Sequence, residues 1–306
     1  MTLIRSLPLR APRLTPPMAT LAVIAACVSF GMVPLFARLL QDAGMSAASI
    51  GFFRYASSAL VMFPFLPLAR EKRRDALRML GAGIMMGIGW VSYLEALETQ
   101  SVAMVGLVYM TYPVFALLLA WMLARQTPTL RAWGGCALVL AAALMIFEGG
   151  AGGGTGGGAS WALVLSLPAP IMFALIIVVL TCLTPRLTSM EQLACAMVGC
   201  VIGLAPLVAL TDPAAFVPRD GGVWLTLLAM GLVTALIPQM VYTIAAPKIG
   251  PGRSSAAGAV ELPTMIALGW LAFGETVGVR EIAASGLVLA AILLVPPIAA
   301  PRPQPA

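Results

Sequence analysis

Arg253-Ser-Ser-Ala-Ala-Gly-Ala-Val-Glu-Leu-Pro-Thr-Met-Ile-Ala-Leu-Gly-Trp-Leu-Ala-Phe-Gly-Glu275 is the stretch whose reading decides the fold. Between its charged ends lie 21 residues that, Glu261 apart, are apolar or small. That is enough to cross a hydrocarbon core about 30 Å thick. Near the middle sit Glu261 and, two residues on, Pro263. A carboxylate at bilayer depth costs roughly 2.5–3.5 kcal/mol to insert, and a proline there frees a backbone carbonyl that another group must satisfy. Both features suit a helix that faces a polar interior rather than lipid.

Composition agrees with a membrane setting. The 306 residues are 60% hydrophobic and 10% charged, with mean hydropathy +0.98, whereas about a quarter of a soluble globule is charged. The net charge of +6 comes from basic residues in short segments between apolar runs, so it reads as a determinant of orientation rather than a nucleic-acid surface. Cys27, Cys136, Cys182, Cys195 and Cys200 all lie within apolar runs and read as packing. The absence of histidine removes the commonest general base and metal ligand, and no catalytic residue, metal site or cofactor is expected.

Outward from the opening stretch, ten apolar runs follow one another: 18–38, 47–69, 77–97, 100–124, 130–147, 160–183, 190–211, 222–246, 254–274 and 280–297. The first is preceded by Arg5, Arg10, Arg13 and four prolines; it lacks a small-residue cleavage site and reads as a helix rather than a signal peptide. Gly149 to Gly158 is almost all glycine, a flexible linker at the midpoint. The flanking halves repeat: Arg131-Ala-Trp-Gly-Gly-Cys-Ala-Leu-Val-Leu-Ala-Ala142 aligns with Arg280-Glu-Ile-Ala-Ala-Ser-Gly-Leu-Val-Leu-Ala-Ala291. At the same offset Tyr93 and Ala96 fall on Tyr242 and Ala245, and Thr127 on Thr276; Pro113 meets Pro263 after a one-residue slip. Five spans per copy force the second copy to enter from the opposite face.

The expected fold is therefore an all-α integral membrane protein of ten transmembrane helices in two inverted-topology repeats. Its parts are an amino-terminal tail at 1–17, a first repeat at 18–148, a linker at 149–159, a second repeat at 160–297 and a tail at 298–306. With both termini cytoplasmic, 14 of the 18 basic residues fall on the inner side; Arg38, Arg219 and Arg280 fall outside and Arg54 within a span.

This pattern resembles the drug/metabolite transporter superfamily in its EamA-like branch. The residues that carry the resemblance are Phe53-Arg54-Tyr55-Ala56, Tyr93 with Ala96, Tyr112-Pro113-Val114, Leu262-Pro263 and Leu271-Ala-Phe-Gly-Glu275. The sequence departs from the pattern at Ala124-Arg125-Gln126, where the family often has a glutamate, and at Glu261, which is not a general family feature. The resemblance implies a solute carrier working by alternating access, commonly exporting amino acids or other small metabolites. It also implies a central cavity lined mainly by the third, fourth, eighth and ninth spans. A bacterial inner membrane is the expected setting.

Within that cavity Glu261 is the sharpest candidate. Removal from water favours the protonated form of a carboxyl, which suits proton coupling or recognition of a substrate amine; the alternative is a structural carboxyl held by Gln239 at similar depth. Arg54 lies seven residues, about 10 Å, into the second span. It can pair with Glu95 near the outer end of the third span, or anchor a substrate carboxylate. Trp90 and Tyr93 share a face, as do Tyr109 and Tyr112, and Tyr93 and Tyr242 are candidates for an outer and an inner gate. Substrate contacts are thus expected from Trp90, Tyr93, Tyr109, Tyr112, Gln239, Tyr242 and Glu261, with helix kinks at Pro113 and Pro263. Gly83-x-x-x-Gly87 suits close helix contact, and Gly250-Pro-Gly252 reads as a loop with a hinge.

No Walker A sequence occurs, so a proton or other gradient, not ATP, would drive transport. A proton path would rest on Glu261, Glu95 and tyrosines. An enzyme is disfavoured by the missing histidine and the lack of an aspartate pair in any span. A channel, a facilitator or a scaffold is the competing class. The expected partners are a small-molecule substrate, the lipid bilayer and protons, with no nucleic acid, in a monomer or homodimer.

Overall fold

The computed structural model describes residues 15–148 and 164–294, apart from positions 126, 128, 219 and 259. The linker at 149–159, the tail at 298–306 and the amino-terminal tail up to position 14 lie outside the described residues. Every regular element among the described residues is helical. The first half comprises α1 (Pro16–Gly31), α2 (Val33–Asp42), α3 (Ala47–Met62), α4 (Arg73–Thr99), α5 (Val102–Tyr109), α6 (Tyr112–Ala124) and α7 (Leu130–Glu148). The second comprises α8 (Pro168–Val178), α9 (Ser189–Ala209), the short α10 (Pro213–Phe216), α11 (Gly221–Gly231), α12 (Ile237–Gly258), α13 (Glu261–Phe273) and α14 (Val279–Leu294). The runs Pro16–Asp42, Arg70–Thr99, Val102–Ala124, Ser189–Ala209 and Gly221–Ala246 are each long and apolar enough to cross a membrane. Shorter apolar helices fill the remaining places.

The breaks follow from proline. α1 ends and α2 begins at Met32, with Pro34 in the first turn of α2; α5 ends and α6 begins around Thr111, with Pro113 in the first turn of α6. A proline is tolerated in a first turn because its missing N–H would find no intrahelical acceptor there. Pro263 likewise stands in the first turn of α13, so its span is interrupted next to Glu261. Two further spans relax through π-helical turns, Val179–Leu183 after α8 and Leu232–Leu236 between α11 and α12.

The packing of the two halves exchanges partners. α4, the third rod of its half, lies along α9, the second rod of the other; reciprocally α11 lies along α3. α8 packs on α4 and α6, as α1 packs on α12 and α13, while α3 meets α9, α5 meets α13 and α7 meets α14. Direction settles the relation. The start of α3 lies beside the end of α9, where Ser46 N–H donates to the Ala215 carbonyl at 3.2 Å. The two second rods therefore run in opposite senses, and the halves are inverted copies.

The α4–α9 crossing is the closest in the molecule to backbone-on-backbone packing. Gly83 faces the Ala196 carbonyl and Gly87 the Cys200 carbonyl; Gly199 and Gly203 face the carbonyls of Leu80 and Ile84. Gly83-x-x-x-Gly87 thus meets a matching Gly199-x-x-x-Gly203, because only glycine leaves room for the facing carbonyl.

One expected feature differs. Gly250-Pro-Gly252 does not form a loop: helical backbone continues through it from Ile237 to Gly258. Pro251 does not break helical dihedrals, and its lost hydrogen bond falls four residues back. Even so, the run is not straight. The Tyr242 ring lies tilted against Phe30 at 6.4 Å and the Glu261 carbonyl abuts Gly31. Nineteen residues of straight helix would hold Tyr242 and Glu261 about 28 Å apart, so the run is bent between them, with both ends against α1.

The crossing yields a paired test. A methyl at Gly83 would meet the Ala196 carbonyl and lie 3.0 Å from the Gly199 Cα, whereas one at Gly81 meets nothing within 4 Å. Gly83→Ala should lower stability in detergent by about 1–3 kcal/mol. Gly81→Ala should leave it unchanged or raise it by up to about 1 kcal/mol through helix propensity. Thermal unfolding of the two variants checks this, and equal losses at both positions would refute the assignment.

Candidate functional site

The centre is organised by Arg54, on the second turn of α3 and 4% exposed. Pro238 has no N–H, so the Thr234 carbonyl four residues earlier lacks its helical donor. The π-helical turn Leu232–Leu236 carries that carbonyl to Arg54, whose Nη2 donates to it at 2.8 Å. Arg54 Nε donates to Thr234 Oγ1 at 3.2 Å, and Nη1 to the Tyr55 hydroxyl at 3.2 Å. The approach of α11 needs Gly231, where a Cβ would collide with Ser57 Oγ and lie 3.3 Å from the Arg54 carbonyl. The guanidinium also lies over the Trp90 ring at 4.3 Å and the Tyr55 ring at 5.1 Å. Inserting an arginine at helix-centre depth costs about 2.5–3.5 kcal/mol. Each hydrogen bond to a charged group returns about 1.5–3, so three bonds and two ring faces hold it.

From Trp90 an aromatic chain runs across the bundle. Trp90 meets Tyr93 at 4.9 Å and Tyr109 at 6.1 Å; Tyr93 meets Tyr109 at 5.3 Å, and Tyr109 meets Tyr112 at 5.9 Å. Phe173 of α8 closes the chain against Tyr109 and Tyr112 at 5.4 and 4.9 Å. The Trp90 indole N–H and the Tyr93 hydroxyl are buried, with no hydrogen-bond partner among the described residues. Glu261 lies within electrostatic reach of Tyr93, Tyr109, Tyr112, Cys27 and Arg54. It is about 18 Å from the Phe273 end of α13, close to mid-membrane, and half-buried. Among the described residues its side chain makes no hydrogen bond or ion pair.

Of the residues expected from sequence, Trp90, Tyr93, Tyr109, Tyr112 and Glu261 converge, and Tyr242 lies against Phe30 of α1. Gln239 is half-buried and makes no hydrogen bond to Glu261 among the described residues. The expected Arg54–Glu95 pair does not form: Arg54 turns inward to Thr234, while Glu95 lies on an exposed face of α4. Tyr55, Thr234 and Phe173 were not anticipated. A threonine four residues before a proline inside an apolar run was the available signal for Thr234.

Charges tie both ends of the bundle. At the end where α4 finishes, Arg38 Nη1 pairs with Glu275 Oε1 at 2.7 Å, and Arg38 donates to the carbonyls of Gln100 at 2.6 Å and Leu97 at 3.3 Å. The Glu275 carboxylate accepts from the Val102 N–H at 2.9 Å, capping the start of α5. One pair thereby joins α2, α4, α5 and the end of α13. At the opposite end Lys72 pairs with Glu191 at 2.8 Å, and buried Asp75 accepts from the Arg186 backbone N–H at 3.2 Å and from Arg78 at 3.4 Å.

The profile of the EamA-like transporter family matches residues 17–148 and again 160–295. The chain belongs to that family. It is 25% identical over 282 residues, 89% of each chain, to a protein of Rhizobium johnstonii (strain DSM 114642 / LMG 32736 / 3841) named a riboflavin transporter. A solved crystal structure shares the fold with a TM-score of 0.62 at 16% identity, over 91% of this chain and 96% of the other. Membership makes this a membrane transporter of small solutes.

The two ties differ in burial, which sets their worth. Arg38 and Glu275 side chains are 20% and 12% exposed, against 47% for Arg78. Glu275→Gln should cost about 3 kcal/mol, the lower end for a buried pair that loses one partner. Arg78→Gln should cost under about 1 kcal/mol. Thermal denaturation in detergent measures both, and a Glu275→Gln protein as stable as wild type would overturn the tie.

Proposed function

We propose that this protein is a secondary carrier of a small organic metabolite, an amino acid or similar ring-bearing solute, moved by alternating access and coupled to protons through Glu261. Export across a bacterial inner membrane is the direction that fits. The observation that carries the reading is Glu261 itself. It is a carboxyl near mid-membrane, half-buried, beside a helix break and within electrostatic reach of three tyrosines, with no hydrogen bond or ion pair among the described residues. A structural carboxyl in hydrocarbon acquires a fixed partner, because an unpaired one is costly. A coupling carboxyl instead has to release its proton and take it back.

The chain of rings from Trp90 to Phe173 supports a cargo with a planar face, since offset and edge-on ring contacts add about 0.5–1.5 kcal/mol beyond area burial. The relative named a riboflavin transporter makes flavins a sensible addition to a panel of amino acids. Breaks at Met32, around Thr111 and before Glu261 divide the spans nearest the site, and divided spans let one end of a bundle open while the other stays closed. Tyr242, toward the end opposite Arg38, remains the candidate for a gate there.

Proteoliposomes test the reading. Counterflow of amino acids and riboflavin should be saturable, rise with an imposed pH gradient in the wild type, and ignore that gradient in Glu261→Gln. Gradient-insensitive flux in both proteins would leave a facilitator. Flux that never saturates would leave a channel.

A further inference from the structure

We infer that Arg54 is the substrate's anion site, so that the cargo carries a carboxylate or another acidic group beside its planar ring. The inference rests on the carrier reading and deepens it. Arginine carries a delocalised, cationic guanidinium, and Arg54 is 4% exposed at membrane depth. Among the described residues no carboxylate lies within ion-pair distance of it; its partners are a hydroxyl and a carbonyl of Thr234, the Tyr55 hydroxyl and two ring faces. Those dipoles solvate the charge, and Glu261, whose carboxyl acts on it electrostatically, stays beyond ion-pair distance, whereas buried charges in proteins are ordinarily paired. Glu95, the acid that depth alone would match to it, is exposed on another face.

The geometry leaves the guanidinium prepared for an anion. Of its five N–H groups, three are engaged, which leaves one on each terminal nitrogen. Two such groups match the two oxygens of a carboxylate. The planar face of Trp90 lies against the same guanidinium at 4.3 Å, and its indole N–H, like the Tyr93 hydroxyl, is buried with no hydrogen-bond partner among the described residues. An acid joined to a flat ring would satisfy the cation, meet the rings and give acceptors to both donors. The Thr234 carbonyl, bound to Nη2 because Pro238 cannot donate to it, fixes the fork so that little ordering is left for the ligand to impose.

Purified protein in detergent, its melting temperature read with a panel of planar acids each beside its amide, tests this: indole-3-acetate with indole-3-acetamide, nicotinate with nicotinamide, benzoate with benzamide. Binding to the folded state raises the melting temperature with ligand concentration. At least one acid should stabilise the wild type at a concentration tenfold or more below that needed for its amide. Arg54→Gln should abolish the difference, and Arg54→Lys, which keeps the charge but not the fork, should retain part of it. Amides as effective as acids, no acid stabilising the wild type, or Arg54→Gln preserving the preference would each overturn the inference. The acid–amide comparison needs only the wild type, so a variant that does not fold leaves it intact. Counterflow of the same compounds separates the two readings. An acid that binds but is not exchanged sinks the carrier and spares the site; amides exchanged as fast as acids sink the site and spare the carrier.

Discussion

A single hydrogen bond, from Arg54 Nη2 to the Thr234 carbonyl, links the parts of this molecule that matter most. It exists because Pro238 leaves that carbonyl without a helical donor and because a π-helical turn presents it sideways. In a bilayer neither group could be left alone: an unsatisfied carbonyl and a bare guanidinium each cost several kcal/mol. Together they cancel. The contact needs α3 and α11 in close approach, which Gly231 permits, and the same guanidinium positions Trp90, from which the aromatic chain extends. Proline, glycine, arginine and tryptophan on three different spans are thus consequences of one local problem of solvation.

Around this centre the two inverted copies differ in chemistry while agreeing in packing. The Arg38–Glu275 tie gathers four helices at one end of the bundle around a carboxylate that caps α5. At the repeat position of Glu275 the first half carries Gln126, without the charge. The opposite end is held instead by Lys72, Glu191 and Asp75, at the start of α4 and α9. The fold is close to symmetric in its pairings, and its fastenings are not.

Most of the architecture was legible because bilayer thickness imposes a length on every apolar run. Depth was equally legible, since residues rise about 1.5 Å each along a helix; this is why Trp90, Tyr93, Tyr109, Tyr112 and Glu261 could be assigned to one interior. What sequence does not carry is the rotation of each helix about its axis. Arg54 and Glu95 were matched by depth and separated by rotation, and Gln239 was matched to Glu261 on the same basis. The helical backbone through Gly250-Pro-Gly252 escaped for another reason: turn-forming residues raise the odds of a loop, but packing of the whole segment on α1 decides its form.

The crossing of α4 and α9 limits what the protein can do as a machine. Side chains in contact can change rotamers and let helices slide; backbones in contact at four glycines cannot, because any sliding drives a carbonyl into a neighbouring residue's Cβ. The two helices therefore pack as one closely fitted pair. On the carrier reading, motion about the centre would belong to the jointed spans on either side, and this tightly packed pair would be the frame against which they move.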